Sequence, residues 1–503
     1  MCIVCGSGGA HLLRAIARSR AAPRQGACRF VARAVAPPVV PPLDPASQTD
    51  LAGPADVILR GGPILTMSPA APSAEAVAVR AGRIQAVGDE AAVLAHRGRL
   101  TRIVNLQGRA LLPGFVNAHW HLPFTLLCEW VDATGADSPA AALGLLSEAA
   151  RAAPPGEWLV LGVATAMAAA LRDRAVPLDA AAPSHTAVIA DADGVILAGN
   201  AIAAESGALP AHISAVVPRL PVSAEPIRRR LAAMLRQTAA LGVTCLRVCG
   251  LGTLSGADDL DLARAVMDGA PPLRLRATLD VSLWPEWQAL RLAPGFGDDM
   301  LRVDTLSAWL DDAPDATARL AAALWLARDA GWAVAAHAAD AGQLQSALTA
   351  FARSGAVFDR RSGLECRRIP APDHLAALDR LGLSLGLTAS DRADSAPDAA
   401  QEYAPAVPVS LGLDAATGPS APLRMVRNAA AGEFGAAMTP AQALAAVTID
   451  AARRCGAGDI LGSIERGKYA DFAFLDRDPR GAADYAAPRC VGTWVNGLEA
   501  FRA

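Results

Sequence analysis

The feature that most constrains the fold is a repeated alternation of helix-like segments and short apolar strands. Helix-like residues 231–241, 317–330 and 375–381 precede apolar runs at 243–248, 333–337 and 383–387, and a further apolar run follows at 407–413. This order is typical of a parallel sheet, because each helix returns the chain to the start of the next strand. We therefore predict an α/β fold with a (β/α)₈, TIM-like barrel.

Short strand patterns also occur near both ends of the chain. They lie at residues 56–60, 76–80, 83–87, 471–475 and 491–495, and Gly82 marks a hairpin turn. We predict that residues 51–112 and 440–503 form a small composite β-sandwich and that residues 113–439 form the barrel. Residues 1–50, which lack acids before Asp44, are predicted to be a disordered tail or a degenerate leader.

Two histidines follow one of the predicted strands closely. An apolar run interrupted by Pro113 and Gly114 leads into His119-Trp120-His121. Side chains two residues apart on a strand point the same way, so His119 and His121 converge at its C-terminal end. Two imidazoles directed at one point suit a divalent metal, most often zinc, with iron or manganese as alternatives.

Two further residues of types that bind metals also lie at the ends of predicted strands. His337 and Asp414 each end a predicted strand, where barrels collect their catalytic groups. A hydrolytic metal needs about three protein ligands and an open position for water. We predict His119, His121, His337 and Asp414 as ligands of one metal ion. Asp414 could ligate, act as the base or do both, and taken alone it could equally be a helix N-cap.

Two motifs resemble those of the amidohydrolase superfamily. Residues 111–121, LLPGFVNAHWH, are similar to its first-strand motif, with Asn117 in place of an aspartate, and residues 459–472 are similar to its C-terminal segment. Asp193-Gly194, Asn200 and residues 242–244 resemble the YtcJ-like, family-3 branch. The resemblance covers residues 56–503. It implies hydrolysis of C–N bonds in non-peptide or cyclic amides through a metal-bound hydroxide, and it assigns the proton transfer to Asp414.

The chain departs from the superfamily pattern at two ligand positions. Ser307 aligns near the position of the lysine that bridges two metals in binuclear relatives, and Cys366 aligns with the position where a histidine is expected. Lys468 is the only lysine, so a lysine-carbamate bridge is excluded and a mononuclear site is predicted. Cys366 is either an additional ligand or an inert thiol. Asp340 lies where mononuclear deaminases of the superfamily have a glutamate.

Two other functions fit the same residues. The segment from Asn117 to residue 127 also resembles the deaminase and chlorohydrolase branch, which acts on heteroaromatic rings. If the site has decayed, the protein is a metal-free pseudoenzyme that serves as a binding scaffold. The sequence does not name a substrate, because loops around the pocket set specificity.

Composition narrows the set of partners. A net charge of −3 without a dense basic block argues against nucleic acid, and no apolar run has the length of a membrane span. The nine cysteines show no disulfide spacing, and Cys245 and Cys249 are predicted to be buried and unreactive. We predict a small-molecule substrate and a cytoplasmic location, with export through the leader as the alternative. A homo-oligomer remains open.

We expect about one divalent metal ion per chain in the purified protein. A double variant, His119→Ala with His121→Ala, should lose that metal because two nitrogen ligands disappear. Elemental analysis of both proteins measures this directly. An absence of metal in the wild type, with both proteins equally stable after metal is offered, would contradict the hydrolase interpretation.

Overall fold

The computed structural model covers the chain from residue 51 onwards, with gaps. It describes residues 51–503 apart from 123–125, 127, 155–156, 165–166, 168–177, 192–195, 206–223, 254–255, 269–271, 311–315, 356–357, 390–402, 404–406, 414–420 and 482–487. The predicted tail, residues 1–50, and the predicted site residue Asp414 therefore lie outside the described residues.

The described residues form 21 strands and 13 α-helices. The strands are β1 Val57–Leu65, β2 Ser73–Arg80, β3 Arg83–Gly88, β4 Arg102–Asn105, β5 Ala110–Pro113, β6 Phe115–Trp120, β7 Glu129–Ala133, β8 Trp158–Val163, β9 Thr186–Asp191, β10 Ile196–Gly199, β11 Val243–Leu251, β12 Arg274–Asp280, β13 Phe296–Gly297, β14 Leu301–Trp309, β15 Ala333–His337, β16 Gly363–Cys366, β17 Ser384–Ala389, β18 Val409–Leu413, β19 Phe472–Leu475, β20 Cys490–Val495 and β21 Leu498–Arg502. The helices are α1 Glu90–Leu94, α2 Pro139–Ala152, α3 Leu178–Ala181, α4 Ala201–Glu205, α5 Ala224–Ala239, α6 Asp258–Met267, α7 Trp284–Ala289, α8 Ala316–Ala330, α9 Ala341–Arg353, α10 Pro372–Arg380, α11 Pro422–Ala430, α12 Pro440–Ala446 and α13 Ile449–Arg454.

Eight parallel strands form the predicted barrel. Their order is β6-β11-β12-β14-β15-β16-β17-β18, with β13 added antiparallel to β14. Strand β18 comes back beside β6, and a Cβ placed on Gly412 would lie only 2.2 Å from the Cβ of His119. Glycine is therefore required at this close approach. The prediction of a TIM-like barrel is confirmed.

The helices between these strands show why the alternation predicted a barrel. Helix α8 buries Leu320, Leu324 and Ala327, which are spaced along one helical face. Helix α9 begins at Asp340, whose side chain accepts a hydrogen bond from the Gln343 N–H at 2.9 Å. Asp340, which matches the deaminase glutamate in sequence position, is thus an N-cap.

Strands from the two ends of the chain share one eight-stranded sheet. Its order is β21-β20-β19-β5-β1-β2-β3, and β4 pairs with β1. The predicted hairpin is present, since β2 and β3 are antiparallel and Gly82 has φ +74° at their turn. One face of the sheet buries a cluster that includes Leu59, Phe472 and Trp494. The exact boundaries, 51–112 and 440–503 with 113–439 between them, stay a prediction.

A second compact unit lies between β6 and β11 in the sequence. Residues 122–231 form this unit, whose sheet has the order β10-β9-β8-β7. Its own core includes Leu146, Leu159, Leu161 and Ile189. The sequence pattern predicts that these residues belong to the barrel, whereas the structure shows a separate sheet.

Every helix within the described part of the chain is too short or too polar to cross a bilayer.

A buried ion pair connects the terminal sheet to the barrel. Arg274 on β12 donates to both carboxylate oxygens of Asp471, at 2.7 and 3.0 Å, and the two side chains are 0% and 4% exposed. Asp471 also accepts from the N–H of Asn496 at 2.9 Å. This aspartate belongs to the C-terminal motif, which therefore has a structural role in joining β12 to β19 and β20.

We expect Asp471→Ala to lower the free energy of unfolding by about 3–5 kcal/mol, because it leaves the Arg274 guanidinium buried without its partner. Urea unfolding followed by tryptophan fluorescence measures the change. Glu499→Gln is the matched control, since its pair with Arg502 is exposed and should be worth less than about 1 kcal/mol. Equal effects of the two substitutions would rule out this role for Asp471.

Candidate metal centre

The structure brings three of the four predicted ligands together. His119 lies near the end of β6, His121 follows that strand directly, and His337 ends β15. The three side chains are only 1%, 3% and 3% exposed. One nitrogen from each imidazole lies within 4.8 Å of the corresponding nitrogen of the other two. The fourth predicted ligand, Asp414, is outside the described residues.

The hydrogen bonds of His119 and His121 determine which nitrogen carries the proton. Nδ1 of His121 lies 2.8 Å from the carbonyl oxygen of Cys249, which can only accept, so Nδ1 is the donor. Nδ1 of His119 lies 3.3 Å from a carboxylate oxygen of Glu365 and is likewise the donor. In its neutral form, each imidazole would therefore present a lone pair at Nε2.

These two lone pairs face each other. The Nε2 atoms of His119 and His121 are 3.1 Å apart. Two nitrogens bound to one tetrahedral zinc at about 2.0–2.1 Å would be roughly 3.3 Å apart. Two unprotonated nitrogens this close repel each other unless a proton or a metal ion lies between them. The donor set thus fits a divalent metal ion, and the Nδ1 partners supply the outer contacts that orient metal-bound histidines.

His337 completes the group from a separate strand. Burial, together with the neighbouring His119 and His121, holds its pKa well below the usual value, although Glu365 acts in the opposite direction. Its ring stacks on Trp309 with centroids 4.9 Å apart. His337 is therefore neutral near neutral pH and able to ligate a metal.

Ser307, which the resemblance matches to the bridging lysine of binuclear relatives, lies beside His337. Its Oγ lies 3.4 Å from Nε2 of His337 and 2.5 Å from Oγ1 of Thr278. The amine of Lys468 instead donates to Gly458 and to Ser463 in the C-terminal segment. Ser307 cannot form a carbamate, and the Lys468 amine is engaged elsewhere.

Glu365 lies at the site although the sequence motifs do not predict it. Its carboxylate accepts hydrogen bonds from Arg247 at 2.5 Å and from Arg454 at 2.7 Å, in addition to His119. Burial would raise the pKa of this carboxyl, but Arg454, the hydrogen bond from His119 and Arg247 hold it well below its usual value. In the sequence, the one indication that Glu365 belongs to the site is its position beside Cys366, in the segment matched to the sixth strand.

Cys249 is buried, as predicted, but its surroundings differ from those of an inert core thiol. Its Sγ lies 3.7 Å from Nδ1 of His119. Burial raises the pKa of the thiol, but His119 and Arg247 outweigh this effect and lower the pKa to about 7. Cys249 therefore forms a second donor group with His119 and Glu365 on the Nδ1 side of the imidazole.

Cys366 does not join the histidines. Among the described residues, the two groups of close donor atoms contain no contribution from it. Its thiol donates to the carbonyl oxygen of Arg368 at 3.1 Å, and burial raises its pKa to about 12. A thiol that stays protonated is a poor metal ligand, so of the two readings of Cys366 the inert thiol is the better supported.

Eight parallel strands carrying three converging histidines define a barrel of the metal-binding class. Residues 102–500 match the profile of the amidohydrolase family, so the chain belongs to the amidohydrolase family.

Solved structures share this fold. An uncharacterized metal-dependent hydrolase from Pyrococcus horikoshii has a TM-score of 0.68 at 17% identity, covering 86% of this chain and 99% of that one. A zinc-bound adenosine deaminase from Xanthomonas campestris has a TM-score of 0.52 at 18% identity, covering 89% and 93%. A triazine hydrolase variant has a TM-score of 0.56 at 16% identity, covering 88% and 94%. At these identities the likeness concerns the fold.

Curated relatives match over shorter stretches. The imidazolonepropionase of Erwinia tasmaniensis is 47% identical over 68 residues, which is 13% of this chain and 16% of that protein. The imidazolonepropionase of Solibacter usitatus is 36% identical over 98 residues, 17% of this chain and 23% of that protein. Protein LONG AFTER FAR-RED 3 of Arabidopsis thaliana is 31% identical over 109 residues, 22% and 19% respectively. The chain therefore spans less than a quarter of each of these relatives.

We expect Glu365→Gln to weaken metal binding by about 10–100-fold, because the carboxylate that orients His119 is lost. Competition with a chromophoric chelator measures the affinity, and circular dichroism checks that the variant is folded. Cys366→Ala is the neighbouring control and should bind metal as the wild type does. An unchanged affinity in the folded Glu365 variant would exclude this orienting role.

Proposed function

We propose that this protein is a mononuclear metal-dependent hydrolase that cleaves a C–N bond in a non-peptide amide or cyclic amide. The observation that carries the proposal is the pair of Nε2 lone pairs of His119 and His121, held 3.1 Å apart with both Nδ1 atoms engaged. Membership of the amidohydrolase family supports the reaction class. The imidazolonepropionase relatives favour a cyclic amide as the substrate.

The proposed ligands are His119, His121, His337 and Asp414. Zinc is the proposed metal, since nitrogen-rich tetrahedral sites suit it, with iron or manganese as alternatives. When bound, the metal would polarise the scissile carbonyl and lower the pKa of a water molecule towards neutrality. Glu365 and the carbonyl oxygen of Cys249 would keep the two imidazoles in the productive tautomer.

The proposed base is Asp414, which follows β18 directly in the sequence. Gly412 on this strand lies against His119, so the end of β18 is close to the end of β6. Asp414 would remove a proton from water and return it to the leaving nitrogen. Trp309, stacked on His337, would provide an apolar wall that limits access of bulk water.

A second candidate is hydrolytic deamination or dechlorination of a heteroaromatic ring. It is favoured by the flat indole of Trp309, whose centroid lies 6.3 Å from that of His121. Release of ammonia or chloride from ring substrates, without ring opening, would identify this activity. The cytoplasmic location, with export as its alternative, remains a prediction from the sequence.

We expect the metal-loaded wild type to hydrolyse members of a panel of cyclic amides and N-acyl compounds, detected by mass spectrometry of the products. Asp414→Asn should lower kcat by about 100–10,000-fold with metal still bound, because general base catalysis is lost. His337→Gln should lose both metal and activity, whereas His374→Gln, away from the cluster, should retain both. A metal-loaded wild type inactive on amides and on ring substrates alike would favour the scaffold alternative.

A further inference from the structure

A row of arginines crosses three neighbouring strands of the barrel. Arg247 on β11 is paired with Arg276 on β12, and Arg276 is paired with Arg302 on β14. Residues paired across parallel strands point to the same face, so these like charges are neighbours. Arg247 and Arg276 are only 1% and 3% exposed. Water therefore screens little of their mutual repulsion.

The buried carboxylates nearby are already occupied by other arginines. Glu365 is shared between Arg247 and Arg454, and Asp471 is paired with Arg274. Asp304 accepts from its neighbour Thr305 and faces the half-buried Arg361 at 3.8 Å. Among the described residues, the buried guanidinium groups of these strands therefore outnumber the carboxylates that pair with them.

Among the described residues, the side chain of Arg276 makes no hydrogen bond, although the buried Cys245 thiol lies close enough to interact with it electrostatically. The Nε, Nη1 and Nη2 atoms of Arg276 are buried, and none of them makes a hydrogen bond to any residue that the structure describes. The same holds for Nη2 of the adjacent Arg247, whose Nη1 is engaged by Glu365. Arginine stays protonated in proteins, so burial cannot neutralise this group as it neutralises a lysine. An uncompensated charge of this kind strongly destabilises a fold.

We propose that the barrel interior binds a small inorganic anion, of the size of chloride, between Arg276 and the unengaged edge of Arg247. Guanidinium N–H groups are strong donors to anions, and two of them side by side form a ready binding site. The interior of an eight-stranded barrel is filled by side chains, so an anion held there would be monatomic and not a large oxyanion. The site is structural and does not depend on the proposed hydrolase activity.

The first test is the anion dependence of thermal unfolding in the full-length protein. Chloride replaces gluconate, which is too large for the barrel interior, at constant ionic strength. The wild-type Tm should rise by a few degrees with chloride, because an anion that binds only the folded state stabilises it. Arg276→Met should show no such rise, and in gluconate it should be at least as stable as the wild type because the unpaired charge is gone.

Arg99→Met is the matched control, since Arg99 is exposed and its loss should leave the chloride response unchanged. A wild-type Tm that is equal in the two anions would overturn the proposal. So would a chloride response of equal size in the Arg276 variant.

A second measurement uses only the wild type and remains decisive if the variant fails to fold. Crystals grown with bromide should show an anomalous peak within hydrogen-bond distance of Arg276. Bromide found only at the protein surface would overturn the proposal. The counter-charge would then have to come from Cys245, whose pKa is lowered by a hydrogen bond from Cys455 and, against the effect of burial, by Arg276 and Arg274.

Discussion

The barrel interior depends on the hydrogen bonds and ion pairs formed by the buried carboxylate of Glu365. This carboxylate receives Arg247 from β11, Arg454 from the end of α13 and His119 from β6, so one side chain on β16 connects three other elements. Removing a carboxylate from water is unfavourable unless cations surround it. The two guanidinium groups keep Glu365 ionised, and its charge in turn orients His119. The geometry of the metal centre thus rests partly on residues that do not touch the metal position.

Buried arginines distinguish this interior from that of most barrels of its type. Such interiors are usually filled by layers of branched aliphatic side chains. Here Arg247, Arg274, Arg276 and Arg454 are all buried, and Glu365 and Asp471 pair with the first, second and fourth of them. Because arginine stays charged, the interior needs counter-charges in fixed positions. Glu365 is one of these counter-charges and also orients His119, and the proposed anion would supply another.

Several features could be predicted from the sequence because local periodicity encodes them. The barrel followed from alternating helices and strands, and the convergence of His119 with His121 followed from their spacing of two. The separate unit at residues 122–231 was missed, because its strands have the same apolar pattern as barrel strands. The prediction of an unreactive Cys249 did not include the lowered pKa of its thiol, since the sequence does not show that His119 and Arg247 lie beside it. Asp414 stays a prediction.

The sequence by itself determined which residue types stand at the ends of the strands, because the side-chain direction on a strand depends only on position along it. Only the tertiary structure decided which of these residues meet. Glu365 and His119 are 246 positions apart in the chain, and Cys249 and His119 are 130 apart. Their contacts depend on strand order and register, and these are set when the whole barrel closes. The tautomers of the two histidines, and with them the capacity to hold a metal, are therefore properties of the closed barrel.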